Sequence, residues 1–206
     1  MEQTTLNNLR IIVPGSIFVV YAVILGAITK LFKLPTPDVD TLIKSVLVLV
    51  IGAIYRFTPL RGWINRGHFD RVNENIRSRM VAMAGIVDDK TKYPWSKLRR
   101  VFYDIIDNDE SLKVKSRRVM FNGLLWTSAA DVTAIGILFL GYSLVLIVSG
   151  VPNASYAAIT YFACSLLGFI GSIKITENHV ELGNEQLDLM EEKYATQIRN
   201  RIVSIA

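Results

Sequence analysis

The sequence predicts an all-α polytopic membrane protein with four transmembrane helices and a small cytoplasmic helical layer. Two observations support this prediction: 51% of the residues are hydrophobic, and two long blocks carry no charge. Residues 11–29 contain no Asp, Glu, Lys or Arg, and residues 132–173 form a second such block of 42 residues. A hydrocarbon layer of about 30 Å requires about 20 mostly apolar helical residues. The two blocks are therefore long enough for three spans.

The first block is one span, and the second is too long to be a single span. Its middle contains the run Ser-Gly-Val-Pro-Asn at residues 149–153. Gly, Pro and Asn are the residue types that interrupt helices and form turns. The second block is therefore interpreted as two spans joined by a tight turn.

A fourth span is predicted at residues 41–60. Lys44 and Arg56 lie near the ends of this segment, where long basic side chains can extend to the headgroups. Prolines 35 and 37 precede it, and Pro59 and Gly62 follow it. A buried or re-entrant helix is the alternative interpretation of this segment.

The distribution of basic residues predicts the orientation. Residues 61–131 hold 14 of the 23 Lys and Arg residues, against nine acidic residues, whereas the turn at 149–153 holds none. Since basic residues are retained on the cytoplasmic side, the central stretch and both termini are expected in the cytoplasm. Lys30 and Lys33 lie beside the first outer loop and oppose this assignment, but they are outnumbered.

Four segments follow from this topology. Residues 1–60 are expected to form a first transmembrane hairpin, 61–118 a cytoplasmic helical region, 119–174 a second transmembrane hairpin, and 175–206 a cytoplasmic C-terminal helix. In the central region one apolar stripe runs from Phe69 to Val87, with Arg77 near its other side, and Ser96 suits the cap of a second helix. That second helix would bury an apolar set formed by Trp95, Leu98, Val101, Phe102, Ile105 and Ile106.

The C-terminal segment predicts a long helix that continues the last span. Its apolar stripe consists of Val180, Leu187, Met190, Tyr194, Ile198 and Ile202. From residue 174 onward it has four basic and six acidic residues, whereas residues 61–131 carry a net charge of +5. Attraction between the two segments is expected. The stripe would pack either within the chain or against another subunit.

No motif in the sequence predicts catalysis, a cofactor or a metal site. His68 and His179 are far apart and Cys164 lies in the last predicted span, so the spacing of zinc ligands is absent. Arg61 and His68 loosely resemble the Arg-x(4–6)-His pair of HEPN ribonucleases, which acts on an RNA phosphate. The alternative is a basic turn beside the membrane with Trp63 at the headgroups. We expect the chain not to be an enzyme and to have no cofactor.

A basic cluster precedes the third span and is a candidate for contact with lipid or with a partner protein. Near a cytoplasmic leaflet each basic residue contributes about 1 kcal/mol of attraction to anionic lipid. Topology alone would also explain the cluster. Direct binding of nucleic acid is not expected, because the aromatic residues have the spacing of a core. The cluster consists of Lys113, Lys115, Arg117 and Arg118.

Asp131 is the single charged residue between positions 119 and 173. If the third span begins near Val119, Asp131 is intramembrane, and such residues usually face a water-filled cavity or a partner. If the span begins at Val132, Asp131 is an interfacial acid. The second interpretation is preferred because Trp126 is expected near headgroups. Asp131 is also the candidate residue for lining a pore.

Small residues at helical spacing in the last two spans favour close helix approach and a homo-oligomer. They are Gly136, Gly141, Ala154, Ala158, Ser165, Gly168 and Ser172.

The final 90 or so residues resemble the SLATT type of bacterial effector, with basic residues 113–118, a two-span hairpin and a long charged helix. The whole chain is similar in architecture to the membrane subunit of the Kiwa anti-phage system. These resemblances imply an inner-membrane antiviral defence protein, without catalytic residues to transfer. Two functions follow: a sensor and scaffold that docks a cytoplasmic effector, or a pore or ion channel that depolarises the membrane. The scaffold is preferred because the predicted spans contain few polar side chains.

Overall fold

A computed structural model describes residues 3–32 and 45–205 of the chain. Within these ranges the chain forms six α-helices and no strand, which confirms the all-α prediction. The helices are α1 (Gln3–Thr29), α2 (Val46–Arg56), α3 (Leu60–Met83), α4 (Trp95–Asn108), α5 (Glu110–Val148) and α6 (Ala154–Val203).

Three of these helices are long and apolar enough to cross a membrane, namely α1, α5 and α6. Helix α2 has 11 residues, which is too short for a span at a rise of 1.5 Å per residue. It passes the same test of length and composition only together with α3, as a pair bent at a short break. The described residues thus contain three or four candidate spans. Residues 41–44 of the predicted fourth span lie outside the described residues, as do prolines 35 and 37.

The chain divides into two compact units. The first, here called the apolar unit, comprises Met1–Asn65 and Leu124–Lys174; the second, the polar unit, comprises Arg66–Gly123 and Ile175–Ala206. Helices α3, α5 and α6 each contribute residues to both units. Each unit has its own hydrophobic core.

Aromatic side chains from three helices form the centre of the apolar unit. The ring of Phe139 lies 5.0 Å from Phe18, 5.7 Å from Tyr21 and 5.2 Å from Tyr161, measured between centroids. The Tyr161 hydroxyl donates a hydrogen bond of 2.6 Å to the Tyr21 carbonyl. These contacts join α1, α5 and α6 through a fully buried tyrosine.

The outward surface of the apolar unit is itself apolar. Large aliphatic side chains of α5 and α6 there are between 52% and 69% exposed. Contiguous exposed apolar surface of this kind is rare on soluble monomers and marks a contact with a partner or a membrane. These side chains are Leu144, Val145, Ile159 and Leu167.

Two glycines allow α1 and α2 to pack at backbone distance. A Cβ atom on Gly15 would overlap the carbonyl of Val48, and one on Gly52 would overlap the carbonyl of Ile11. The paired positions increase along α1 while they decrease along α2, so the two helices run antiparallel. This contact places the C-terminal end of α2 beside the first turns of α1.

The predicted turn at residues 149–153 is confirmed. Helix α5 ends at Val148 and α6 begins at Ala154. Gly150 has a φ of +73°, and the amides of Gly150 and Val151 donate to the carbonyls of Ile147 and Leu146. This is the Schellman arrangement, which requires a residue in the left-handed region and therefore favours glycine.

The core of the polar unit is built from α3, α4, the start of α5 and the end of α6. Met80, Leu98 and Leu112 pack with Leu187 and Ile198, and all five are fully buried. The C-terminal stripe therefore packs within its own chain, which was one of the two possibilities left by the sequence. The apolar face predicted for the second cytoplasmic helix is also confirmed, since α4 buries Leu98, Val101, Phe102, Ile105 and Ile106.

Arg77 occupies a position that differs from the prediction. It was expected near the polar side of α3, but it is 2% exposed. Its guanidinium donates to both oxygens of Glu74, each at 2.9 Å, and lies 2.7 Å from Asp88. It also donates to the Tyr93 carbonyl at 3.4 Å. Arg77 thus ties the loop that follows α3 to the helix itself.

Asp109 caps the long helix α5, since an acidic side chain stabilises the N-terminus of a helix. Its Oδ1 accepts from the amide of Leu112 at 2.9 Å and from the Ser111 hydroxyl. Its Oδ2 accepts from the Tyr194 hydroxyl at 2.8 Å and from Lys193 at 3.2 Å. The side-chain and backbone donors lower the pKa of the Asp109 carboxyl well below its ordinary value.

Candidate functional site: a buried arginine–aspartate pair

The main polar site of the apolar unit is an ion pair between Arg61 and Asp131. Arg61 Nε donates to Asp131 Oδ1 at 2.7 Å, and Arg61 Nη2 donates to Oδ2 at 2.7 Å. The Asp131 side chain is 1% exposed and the Arg61 side chain 19%. Two parallel bonds of this length form the strongest geometry available to these groups. The site joins the start of α3 to the middle of α5.

The same arginine satisfies a carbonyl that a proline leaves free. Pro14 lies inside α1 and has no amide hydrogen, so the carbonyl of Arg10 lacks its partner four residues later. Arg61 Nη2 donates to this carbonyl at 3.3 Å. One guanidinium therefore links α1, α3 and α5, and it compensates for a defect that the α1 sequence builds into the helix.

Several buried polar atoms beside this pair have no hydrogen-bond partner among the described residues. They are Arg10 Nε and both side-chain atoms of Asn65, whereas the Tyr55 hydroxyl lies close to Asp131 and Arg61. Arg61 Cζ lies 5.7 Å from the centroid of the Tyr55 ring. Asn65 follows Arg61 by one helical turn, which puts the two side chains on the same face of α3. Buried polar groups are nearly always satisfied, so these atoms indicate a site for further ligand or solvent atoms.

Asp131 and Trp126, the residue on which the expected interfacial position of Asp131 rests, both have buried side chains on α5. The Trp126 side chain is 3% exposed, and its level in a membrane stays a prediction. Helix α5 continues without a break on both sides of Asp131. Asp131 is therefore an acid buried inside the chain with a dedicated partner. Its depth relative to a bilayer stays a prediction.

Arg61 and His68, the pair that resembles the HEPN motif, each contact a residue other than one another. Arg61 is bound to Asp131, whereas His68 Nδ1 lies 3.0 Å from the Thr176 hydroxyl. His179 Nδ1 lies 3.1 Å from the Asn122 amide nitrogen. Burial, and for His68 also Arg71, lowers the pKa of both imidazoles, which favours their neutral form. The nuclease interpretation gains no support from these contacts.

The basic cluster before the third predicted span divides into two pairs. Lys113 lies 3.6 Å from Glu110 and Lys115 lies 3.2 Å from Glu185. Arg117 and Arg118 are exposed, and no described residue forms an ion pair with them. Only the two arginines are therefore fully available to lipid or to a partner.

No protein-family model, curated protein or solved structure matches the chain. Within residues 3–32 and 45–205, no three His, Cys, Asp or Glu side chains lie close enough together to hold a metal ion. The site is thus defined by its own geometry, as a buried ion pair surrounded by polar groups without protein partners. Sequence reasoning singled out Asp131 by its isolation in an apolar block. It did not find the pairing with Arg61, which is 70 residues away.

Proposed function

We propose that this chain is an oligomeric inner-membrane scaffold and sensor that docks a cytoplasmic effector, in bacterial antiviral defence. The assignment to defence rests on the architectural resemblance to the SLATT and Kiwa membrane proteins. The assignment to docking rests on the surface of the polar unit. In this proposal the apolar unit anchors the protein, and the polar unit presents the binding face in the cytoplasm.

The observation that carries the proposal is the exposed face of α4. Arg99 and Arg100 are exposed, and no described residue forms an ion pair with them. Tyr103 on the same helix is 53% exposed, and Val87 in the preceding loop is 88% exposed. Unpaired arginines beside exposed aromatic and apolar side chains have the composition of a protein interface. An acidic surface on a soluble partner would complement this face.

The acidic residues of α6 are expected to contribute little to docking. Arg79 binds Asp188 at 2.7 Å and Glu191 at 3.2 Å, and Lys115 binds Glu185. These carboxylates are already neutralised within the polar unit, as expected from the opposite charges of the two segments. The partner is therefore expected to contact α4 more than the C-terminal helix.

The state of Asp131 favours the scaffold over the pore. A ring of carboxylates that selects cations must face the water in the channel. Both oxygens of Asp131 instead accept hydrogen bonds from Arg61, and the side chain is buried. The charge that a pore would need from this residue is already compensated.

The test is co-purification with the proteins encoded beside this chain in the genome. Replacing Arg99 and Arg100 with Glu is expected to abolish co-elution of the partner, since each reversal turns an attraction into a repulsion. Replacing both with Lys keeps the charge and is expected to retain most binding. Equal co-elution by the Glu and Lys variants would contradict docking through α4. Ion flux into liposomes that contain this protein alone would support the pore instead.

A further inference from the structure

Positive charge exceeds negative charge around the Arg61–Asp131 pair. Among the described residues of the apolar unit, Asp131 is the one carboxylate. Arg61 neutralises it, and the two other arginines of this unit, Arg10 and Arg56, form no ion pair with its described residues. Two uncompensated guanidinium groups at the ends of apolar helices indicate an anionic ligand from outside the chain.

Helix packing brings the two arginines together. Ile11 on α1 contacts Gly52 on α2, and the helices run antiparallel. Arg10 directly precedes Ile11, and Arg56 lies one turn after Gly52, so both extend from the same end of the α1–α2 contact. Arg56 and Arg61 both lie within electrostatic range of Arg10.

The unpartnered polar atoms lie in the same region and supply mainly hydrogen-bond donors. Asn65 is fully buried and Tyr55 is 6% exposed. The Asn65 amide and Arg10 Nε lack partners among the described residues, and the Tyr55 hydroxyl lies close to the Arg61–Asp131 pair. Donors of this kind surround oxyanions in proteins, and arginine forms bidentate bonds with phosphate. A water molecule would satisfy the polar atoms but would leave the excess charge.

The neighbouring surface fits a lipid as the source of this oxyanion. Phe57, at the break between α2 and α3, is 89% exposed, and Trp63 on the first turn of α3 is 69% exposed. Exposed tryptophan beside basic residues is typical of the headgroup layer. In the headgroup layer, the phosphate groups of the lipids are the oxyanions that surround a membrane protein.

We propose that Arg10, Arg56 and Arg61 bind the phosphate group of an anionic phospholipid, beside the buried side chains of Tyr55 and Asn65. Arg61 keeps Asp131 as its main partner and orients the site, while Arg10 and Arg56 supply the charge for the ligand. This site is separate from the exposed residues Arg117 and Arg118. It depends on insertion into a membrane but not on the docking of an effector.

The test is native mass spectrometry of the full chain in mild detergent, titrated with phosphatidylglycerol or with phosphatidylcholine. We expect a defined number of phosphatidylglycerol molecules to be retained per chain, and weaker retention of the zwitterionic lipid. Replacing Arg10 and Arg56 with Gln is expected to weaken the binding of phosphatidylglycerol roughly 30-fold, because each of the two charges contributes about 1 kcal/mol. Arg10→Gln leaves the backbone carbonyl that Arg61 contacts in place.

The matched control replaces Arg99 and Arg100, two exposed arginines of the polar unit, with Gln. Equal retention of phosphatidylglycerol by the Arg10/Arg56 variant and by this control would contradict the proposed site. Displacement of the lipid by millimolar inorganic phosphate would contradict the assignment of the bound oxyanion to a lipid. If the Arg10/Arg56 variant does not fold, the single variant Arg56→Gln decides the question, because Arg56 is exposed and forms no ion pair with a described residue. Unchanged lipid binding by Arg56→Gln would then contradict the proposal, and several-fold weaker binding would support it.

Discussion

Replacing Asp131 with Asn is expected to destabilise the folded chain by about 3–5 kcal/mol, because it leaves the Arg61 guanidinium without its counter-charge. The carboxylate is 1% exposed and makes two bonds of 2.7 Å. Neither solvent nor another described acid of the apolar unit can replace it. Equilibrium unfolding of the purified protein in detergent measures the loss.

Two further variants separate the ion pair from the packing around it. Replacing Arg61 with Met and Asp131 with Leu together removes both charges, and we expect the double variant to be more stable than Asp131→Asn alone. Asp188→Asn is the control, since Asp188 is 65% exposed in its pair with Arg79 and its loss is expected to cost at most about 1 kcal/mol. Equal stability of the Asp131→Asn and Asp188→Asn variants would contradict the role given to the buried pair.

Replacing Arg77 with Met is expected to destabilise the polar unit by about 2–3 kcal/mol. The guanidinium is almost fully buried and holds Glu74, Asp88 and the Tyr93 carbonyl. Hydrogen bonds to charged groups contribute about 1.5–3 kcal/mol each, but both carboxylates are 40% to 47% exposed, and solvent screening reduces the loss. Hydrogen exchange of residues 84–94 measures the effect where it should be largest.

The same variant should change the response to acid. Arg77 lowers the pKa of Glu74 from 4.5 to about 2, so this carboxylate stabilises the fold above pH 4.5 and loses that effect as the pH falls towards 2. Without Arg77 the unfolding free energy should depend less on pH in this window. Arg79→Met is the control, because the carboxylates bound to Arg79 are more exposed. An identical acid response in wild type and Arg77→Met would contradict this assignment.

Periodicity was sufficient to predict the helices whose apolar faces are regular. The buried face of α4 and the C-terminal stripe follow from steps of three and four residues, and the turn at 149–153 follows from its Gly and Pro. Val87, the last residue of the predicted stripe, was placed wrongly, because α3 ends at Met83 and Gly85 adopts a φ of +64°. The cap predicted at Ser96 was also wrong: α4 begins at Trp95 with Pro94 at the capping position.

The polar interactions could not be predicted from one sequence. Arg77 is buried where the loop that follows α3 places Asp88 against it. No local sequence pattern predicts this contact. The Arg61–Asp131 pair joins residues 70 positions apart. Pro14 marks a free carbonyl in α1, but which side chain would satisfy it depends on the packing of α1 with α3. Charged residues inside apolar segments therefore signalled the candidate site without identifying the partners.

The most direct test of the account is the orientation of the chain in the membrane. In a Cys164→Ser background, single cysteines at Asn108, Asn153 and Ile205 would be treated in intact cells with a membrane-impermeant maleimide. The account predicts labelling at Asn153 alone, with Asn108 and Ile205 labelled only after the cells are opened. Labelling of Asn108 from outside intact cells would contradict the arrangement, because the polar unit could not then meet a cytoplasmic partner.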